Sequence, residues 1–240
     1  MNAPTIADPL ALAQALIACR SITPTEAGVL DVAQTALERL GFRVRRLKFG
    51  EVDNLYARFG DAAPNFCFAG HLDVVPPGEG WSGDPFTPEV RDGLLYGRGA
   101  ADMKTAIAAM IAATENYLAG ARPKGSISFL LTCDEEGRAV DGTKALLAAL
   151  ASEGERFDHC LVGEPTSETR VGDVIKSRPI MRGKPFGDRR GSRSGSFDRT
   201  RLQRAFRPDA AGHPRAGQLF RRRAHRDGGR DFRPDDLRQP

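Results

Sequence analysis

The 240-residue sequence holds only four cysteines, Cys19, Cys67, Cys133 and Cys160, far apart and with no C-x-x-C pair. That scarcity argues against a disulfide scaffold or a cysteine zinc knuckle and fits a reducing, cytoplasmic setting. No run approaches the roughly 18 apolar residues of a membrane span. The first ten residues lack a basic cluster followed by an apolar stretch, so no secretory signal is expected. No internal repeat is visible. What is present, 40% apolar and 28% charged residues, suffices for a packed core and argues against a fibrous or wholly disordered chain. The length allows one large domain or two small ones.

A second set of absences is local. From Ser177 to Pro240 there is no valine and no glutamate, one isoleucine and three leucines, against eight glycines and six prolines. This stretch has 17 Arg and one Lys against seven Asp, a balance of +11, whereas residues 1–176 carry −7; the overall +4 averages two unlike pieces. The expected organisation is a foldable portion, 1–176, and an Arg/Gly/Pro-rich tail, 177–240. Arginine clusters attract phosphate, so a true basic tail would bind nucleic acid or an acidic partner. A GC-rich gene read out of frame also yields arginine, glycine, proline, alanine and serine while losing lysine, glutamate and valine. The composition fits that second reading, and the net positive charge is then poor grounds for a nucleic-acid partner.

Within 1–176, helices and strands alternate. Asp8 caps a helix with Pro9 at its first position and Leu10, Ala13, Leu16 and Ile17 as its apolar face. Val29, Val32, Ala33, Ala36, Leu37 and Leu40 mark a second helix, stopped by Gly41. Extended segments are expected at Phe42–Leu47, Asn54–Phe59, Phe66–Ala69, Ile127–Thr132 and Cys160–Val162, with helices at Met103–Ala119 and Gly142–Leu150. The pattern predicts an α/β fold with a largely parallel sheet flanked by helices.

Acids and one histidine fall at the predicted strand ends. His71 and Asp73 follow the strand Phe66–Ala69, Glu135 and Glu136 follow Ile127–Thr132, Glu164 follows Cys160–Val162, and Asp102 ends a glycine-rich loop before the long helix. In open α/β sheets the ligand crevice lies beyond the carboxyl ends of the strands. Crowded carboxylates raise one another's pKa, and a divalent cation resolves that conflict. With several carboxylates and one histidine, a two-metal site with a bridging carboxylate is the economical reading. Singly, each residue has an ordinary reading as a turn, surface or helix-terminus residue. His159, Cys67 and Cys133 read as structural. The joint placement is what the ordinary readings do not predict.

The segments AGHLDVVPPG (69–78), DPFTPEVRDGLLYGRGAADMK (84–104), TCDEEG (132–137) with DGTK (141–144), and VGEPTS (162–167) resemble the dinuclear zinc aminoacylase and carboxypeptidase superfamily. RSITPTEAG (20–28) and VDNLYARFG (52–60) narrow the resemblance to its succinyl-diaminopimelate desuccinylase branch. It runs over about residues 8–176. It implies a zinc aminopeptidase-like catalytic domain with two Zn2+ (Co2+ a substitute). His71 and Glu164 would hold one ion, Asp102 would bridge, and Glu136 would hold the other. Asp73 would orient His71 and Glu135 would act as general base. The implied reaction is release of succinate from N-succinyl-diaminopimelate in lysine and diaminopimelate biosynthesis, a small-molecule substrate with no membrane partner. The family's lid and dimerisation domain, with the histidines it implies for the second zinc and the oxyanion, has no match here. His213 and His225 fit neither motif, and the family's homodimer surface is not recognisable, so impaired activity is expected. An acetylornithine deacetylase, a carboxypeptidase of the same superfamily, or an inactive fragment with a basic tail stay open.

Overall fold

The computed structural model describes residues 8–170 and 172–176. The arginine-rich segment 177–240, with His213 and His225, lies outside the described residues. Residues 8–165 belong to one compact unit and 166–176 to a second.

Helix α1 (Pro9–Ala18) starts as its sequence dictates: the Asp8 carboxylate accepts from the Leu10 N–H at 2.9 Å, with Pro9 in the first turn. Ala13, Leu16 and Ile17 are buried, but Leu10 is exposed and does not belong to the apolar face. Helix α2 (Val29–Arg39) ends before Gly41, which takes φ +85°. Strands β1 (Arg43–Phe49) and β2 (Val52–Phe59) form a hairpin across Gly50–Glu51. Gly50 alone of the two takes positive φ, the pattern of a type II′ turn.

Strand β3 (Asn65–His71) runs two residues past its expected end, so His71 is its last residue. A short hairpin, β4 (Glu89–Arg91) and β5 (Leu94–Tyr96), follows around Asp92–Gly93, both at positive φ as a type I′ turn requires. Helix α3 (Lys104–Gly120), strand β6 (Ser126–Thr132), helix α4 (Thr143–Ser152) and strand β7 (His159–Val162) complete the described elements.

Among the described residues the main sheet has the order β1-β2-β6-β3-β7. Strands β6, β3 and β7 are mutually parallel, and β1 and β2 add antiparallel edge pairing, so the fold is α/β with a mixed sheet around a parallel core. A two-residue link between β1 and β2 permits only the antiparallel arrangement. The central strand β6 is buried throughout. Alternation sends Phe129 and Leu131 into one core with side chains of α1, α2 and α3, and Leu130 into another with Leu146 and Leu150 of α4. Each fully buried side chain of this size contributes about 1.5–3 kcal/mol. No described helix is long and apolar enough to cross a membrane.

Strand β7 sits at the end of the sheet with all four residues exposed, Leu161 and Val162 at 45% and 53%. In the second unit, the Asp173 carboxylate accepts the N–H groups of Glu168, Thr169 and Arg170 and the Thr169 hydroxyl, which holds its carboxyl well below the usual range.

Candidate metal centre

The three parallel strands deliver their carboxyl ends to one rim, and the six expected site residues meet there. His71, at the end of β3, is 1% exposed. Its Nδ1 lies 2.9 Å from the backbone carbonyl of Asp73. A carbonyl only accepts, so Nδ1 carries a proton and Nε2 is the nitrogen turned to the site. Nε2 lies 3.0 Å from Asp102 Oδ1 and 3.8 Å from both Glu135 Oε2 and Glu164 Oε1.

Asp73 orients the imidazole through that carbonyl; its carboxylate stands 3.6 Å from Nδ1 and has other work. Oδ2 accepts from the Thr23 hydroxyl at 2.6 Å and from the Glu136 N–H at 3.1 Å, and Oδ1 accepts from the Glu135 N–H at 3.3 Å. One fully buried anion therefore fixes the backbone of both glutamates. Burial opposes its charge, but the adjacent His71 ring and the hydrogen bonds from Thr23 and the Glu136 N–H outweigh that and hold its carboxyl below the usual carboxylate value.

Thr23 was not legible as a site residue, since a threonine fifty residues from its partner gives no spacing signal. Asp134 was missed for another reason: its partners are backbone N–H groups six and seven residues on, which leave no side-chain pattern. It is buried, and its Oδ2 accepts the N–H groups of Val140 and Asp141, closing the loop that bears Glu135 and Glu136.

The charges conflict as closely placed carboxylates must. Burial pushes the Glu164 carboxyl up, and the neighbouring charges of Asp102, Glu135 and Glu136 outweigh the pull of His71, leaving it at about 7. Glu136 is raised by burial and by Asp102. Burial pulls His71 down, but hydrogen bonds to Asp102 and Asp73 carry its pKa up to about 11. Two triads, His71–Asp102–Glu164 and His71–Glu135–Glu136, each bring their donor atoms within 4.8 Å of one another. A divalent cation on these donors would deprotonate His71 Nε2 and relieve the repulsion, so the residues present fit such an ion. Beside Glu136 an open pocket of about 460 Å3 is lined by Thr23, Glu51, Val75, Arg138 and Asp141, a volume in the range of small-molecule clefts.

Comparison with known proteins points to one family. A family model described as Peptidase family M20/M25/M40 matches residues 67–234. A protein of Maricaulis maris named succinyl-diaminopimelate desuccinylase is 64% identical over 174 residues, 72% of this chain and 45% of the relative. One of the same name from Caulobacter vibrioides is 58% identical over 171 residues, 70% of this chain and 44% of the relative. The chain thus spans less than half the length of these relatives. Among solved structures, human carnosine dipeptidase 1 matches with a TM-score of 0.54 at 25% identity, over 64% of this chain and 37% of that one. An M20 family metallo-carboxypeptidase from Sulfolobus solfataricus matches in fold, with a TM-score of 0.55 at 20% identity, over 65% of this chain and 37% of that one.

Proposed function

The chain belongs to peptidase family M20/M25/M40, and from that premise we propose that it bears the catalytic side chains of a metal-dependent amide hydrolase that removes succinate from N-succinyl-L,L-2,6-diaminopimelate. The observation that carries this reading is the convergence of His71, Asp102, Glu135, Glu136 and Glu164 on one rim, in two triads that share His71. The name borne by the Maricaulis maris relative supplies the substrate class.

In this proposal His71 and Glu164 would hold one divalent cation, Asp102 would serve both, and Glu136 would hold a second, with zinc the ion and cobalt able to replace it. When bound, the cations supply positive charge that polarises an amide carbonyl and acidifies a coordinated water. Glu135 accepts the proton of the attacking water on a carboxylate oxygen and passes it to the departing amine nitrogen. Its side chain is 51% exposed and 3.8 Å from His71 Nε2, which suits a group that must reach solvent and substrate in turn. Asp73 keeps the proton on His71 Nδ1 and holds the Glu135 and Glu136 N–H groups, so the base and its neighbour stay in place. The pocket beside Glu136 receives the diamino acid.

Residues 1–176 are proposed as the N-terminal part of the catalytic domain and 177–240 as out-of-frame translation on the strength of their composition, although the family match runs on to residue 234. A family-like lid sequence in another reading frame of the gene would support this, and its absence from both would overturn it. The activity itself is tested by a chimera in which the 174 matched residues of this chain replace their counterparts in the Maricaulis maris relative. The chimera is expected to hydrolyse N-succinyl-diaminopimelate, and the same chimera with Glu135→Gln is not. A folded chimera that instead cleaves acetylornithine, or that acts equally well without Glu135, would contradict the proposal. The chain alone is expected to turn over weakly or not at all.

A further inference from the structure

Strands β3 and β7 run parallel, and their register sets Cys67 opposite Cys160. Four residues further along the chain in each case stand His71, the last residue of β3, and Glu164, two residues past the end of β7, with His71 Nε2 3.8 Å from Glu164 Oε1. At about 3.3 Å per residue the thiol pair and this second pair lie roughly 13 Å apart, so the thiols stand clear of the rim.

Both thiols are free. Residues paired across a sheet project from the same face, and neighbouring strands lie about 4.8 Å apart. That spacing is inside the roughly 4.4–6.8 Å between Cα atoms that a disulfide spans, toward its short end. The Cys67 thiol donates to the Phe68 carbonyl at 3.5 Å. Their access to solvent differs sharply. Cys67 is 1% exposed and packs with Leu146 and Leu150 of α4, whereas Cys160 is exposed on the edge strand. The neighbouring Cys67 thiol holds the Cys160 thiol below its usual pKa against the effect of burial. Cys160 beside it, with burial, pushes Cys67 up. An accessible sulfur with thiolate character beside a protonated, sheltered one is the arrangement of an attacking and a resolving cysteine.

We propose that Cys160 and Cys67 form a peroxide-responsive modification site, closing reversibly to a disulfide between β3 and β7. The Cys160 thiolate attacks one oxygen of a hydroperoxide. The O–O bond breaks, a Cys160 sulfenic acid forms, and the other oxygen leaves with a proton as water or alcohol. The Cys67 sulfur then attacks the sulfenic sulfur. The S–S bond forms as the S–O bond breaks, and the departing hydroxide takes the Cys67 proton and leaves as water. The two thiols together give up two electrons and the peroxide accepts them. A disulfide held at the short end of the permitted spacing is readily reduced, which makes the change reversible by a dithiol.

The test treats the full chain with hydrogen peroxide, unfolds it, blocks remaining thiols with N-ethylmaleimide, and maps the peptides by mass. The expected result is loss of two of the four thiols, with the Cys67 and Cys160 peptides joined and lighter by two hydrogens. Dithiothreitol should restore them. In Cys160→Ser the Cys67 thiol should persist, and in Cys67→Ala the Cys160 sulfur should gain oxygen irreversibly. Oxygenated Cys160 with no joined peptide in the unmutated chain would overturn the proposal, as would a joined peptide containing Cys19 or Cys133. Those two results come from the unmutated chain, so they decide the matter even if Cys67→Ala fails to fold.

Discussion

The hydroxyl of Thr23 donates a 2.6 Å hydrogen bond to Oδ2 of Asp73, fifty residues along the chain. Through that carboxylate it reaches the backbone of Glu135 and Glu136. Thr23→Val keeps the side-chain shape but removes a donor from a buried anion, a loss expected to lower stability by about 1–3 kcal/mol. Urea unfolding should show an earlier midpoint with an unchanged slope. Thr23→Ser, which keeps the hydroxyl, should recover most of the loss.

The adjacent glutamates are expected to fail differently. Glu135→Gln in the chimera should abolish turnover and leave metal content intact, because Glu135 moves a proton. Glu136→Gln should lower metal content together with activity. Metal analysis beside the rate assay separates the two. Metal loss on Glu135→Gln would mean their roles are exchanged.

Zinc binding should release protons. Without the ion, His71 has its pKa raised to about 11 and is protonated at pH 7, while Glu164, at about 7, is about half protonated. The ligand forms are neutral imidazole and carboxylate, so these protons must leave. Calorimetric titrations in buffers of different ionisation enthalpy should report release of between about one and two protons per His71–Glu164 site at pH 7. Affinity should therefore rise with pH up to the pKa of His71. Near pH 9 the Glu164 share should vanish and the His71 share remain. Absence of proton release at pH 7 would contradict this electrostatic picture.

Packing behind His71 is expected to be intolerant. A Cβ added at Gly70 would come within 2.4 Å of Met103 Cε and 2.7 Å of Ile107 Cδ1. The Met103 sulfur also accepts the His71 backbone N–H, at 3.4 Å. Gly70→Ala should cost about 1–3 kcal/mol by overpacking, seen as a lowered Tm.

Much of this was legible in the residues themselves. Helices α1 to α4 follow from apolar spacing, and the rim follows from acids placed at strand ends. The β4–β5 hairpin escaped notice although Asp92–Gly93 is a strong turn signal, because its strands are only three residues long. Leu10 lies in the first turn of α1, where helical spacing alone could not tell that the core does not reach it. The sheet order and the antiparallel edge depend on tertiary pairing. Thr23 could not be found by any local pattern, since its role exists only once the distant Asp73 carboxylate is brought to it; Asp134 closes a local loop through backbone N–H groups, which residue types do not reveal.

The central claim is that His71 and its surrounding carboxylates form a divalent-cation site, and equilibrium dialysis of the full chain against zinc tests it most directly. The chain should bind zinc, and binding should collapse in His71→Ala and fall in Glu164→Gln. Failure to bind zinc, or binding left unchanged by both substitutions, would contradict the account.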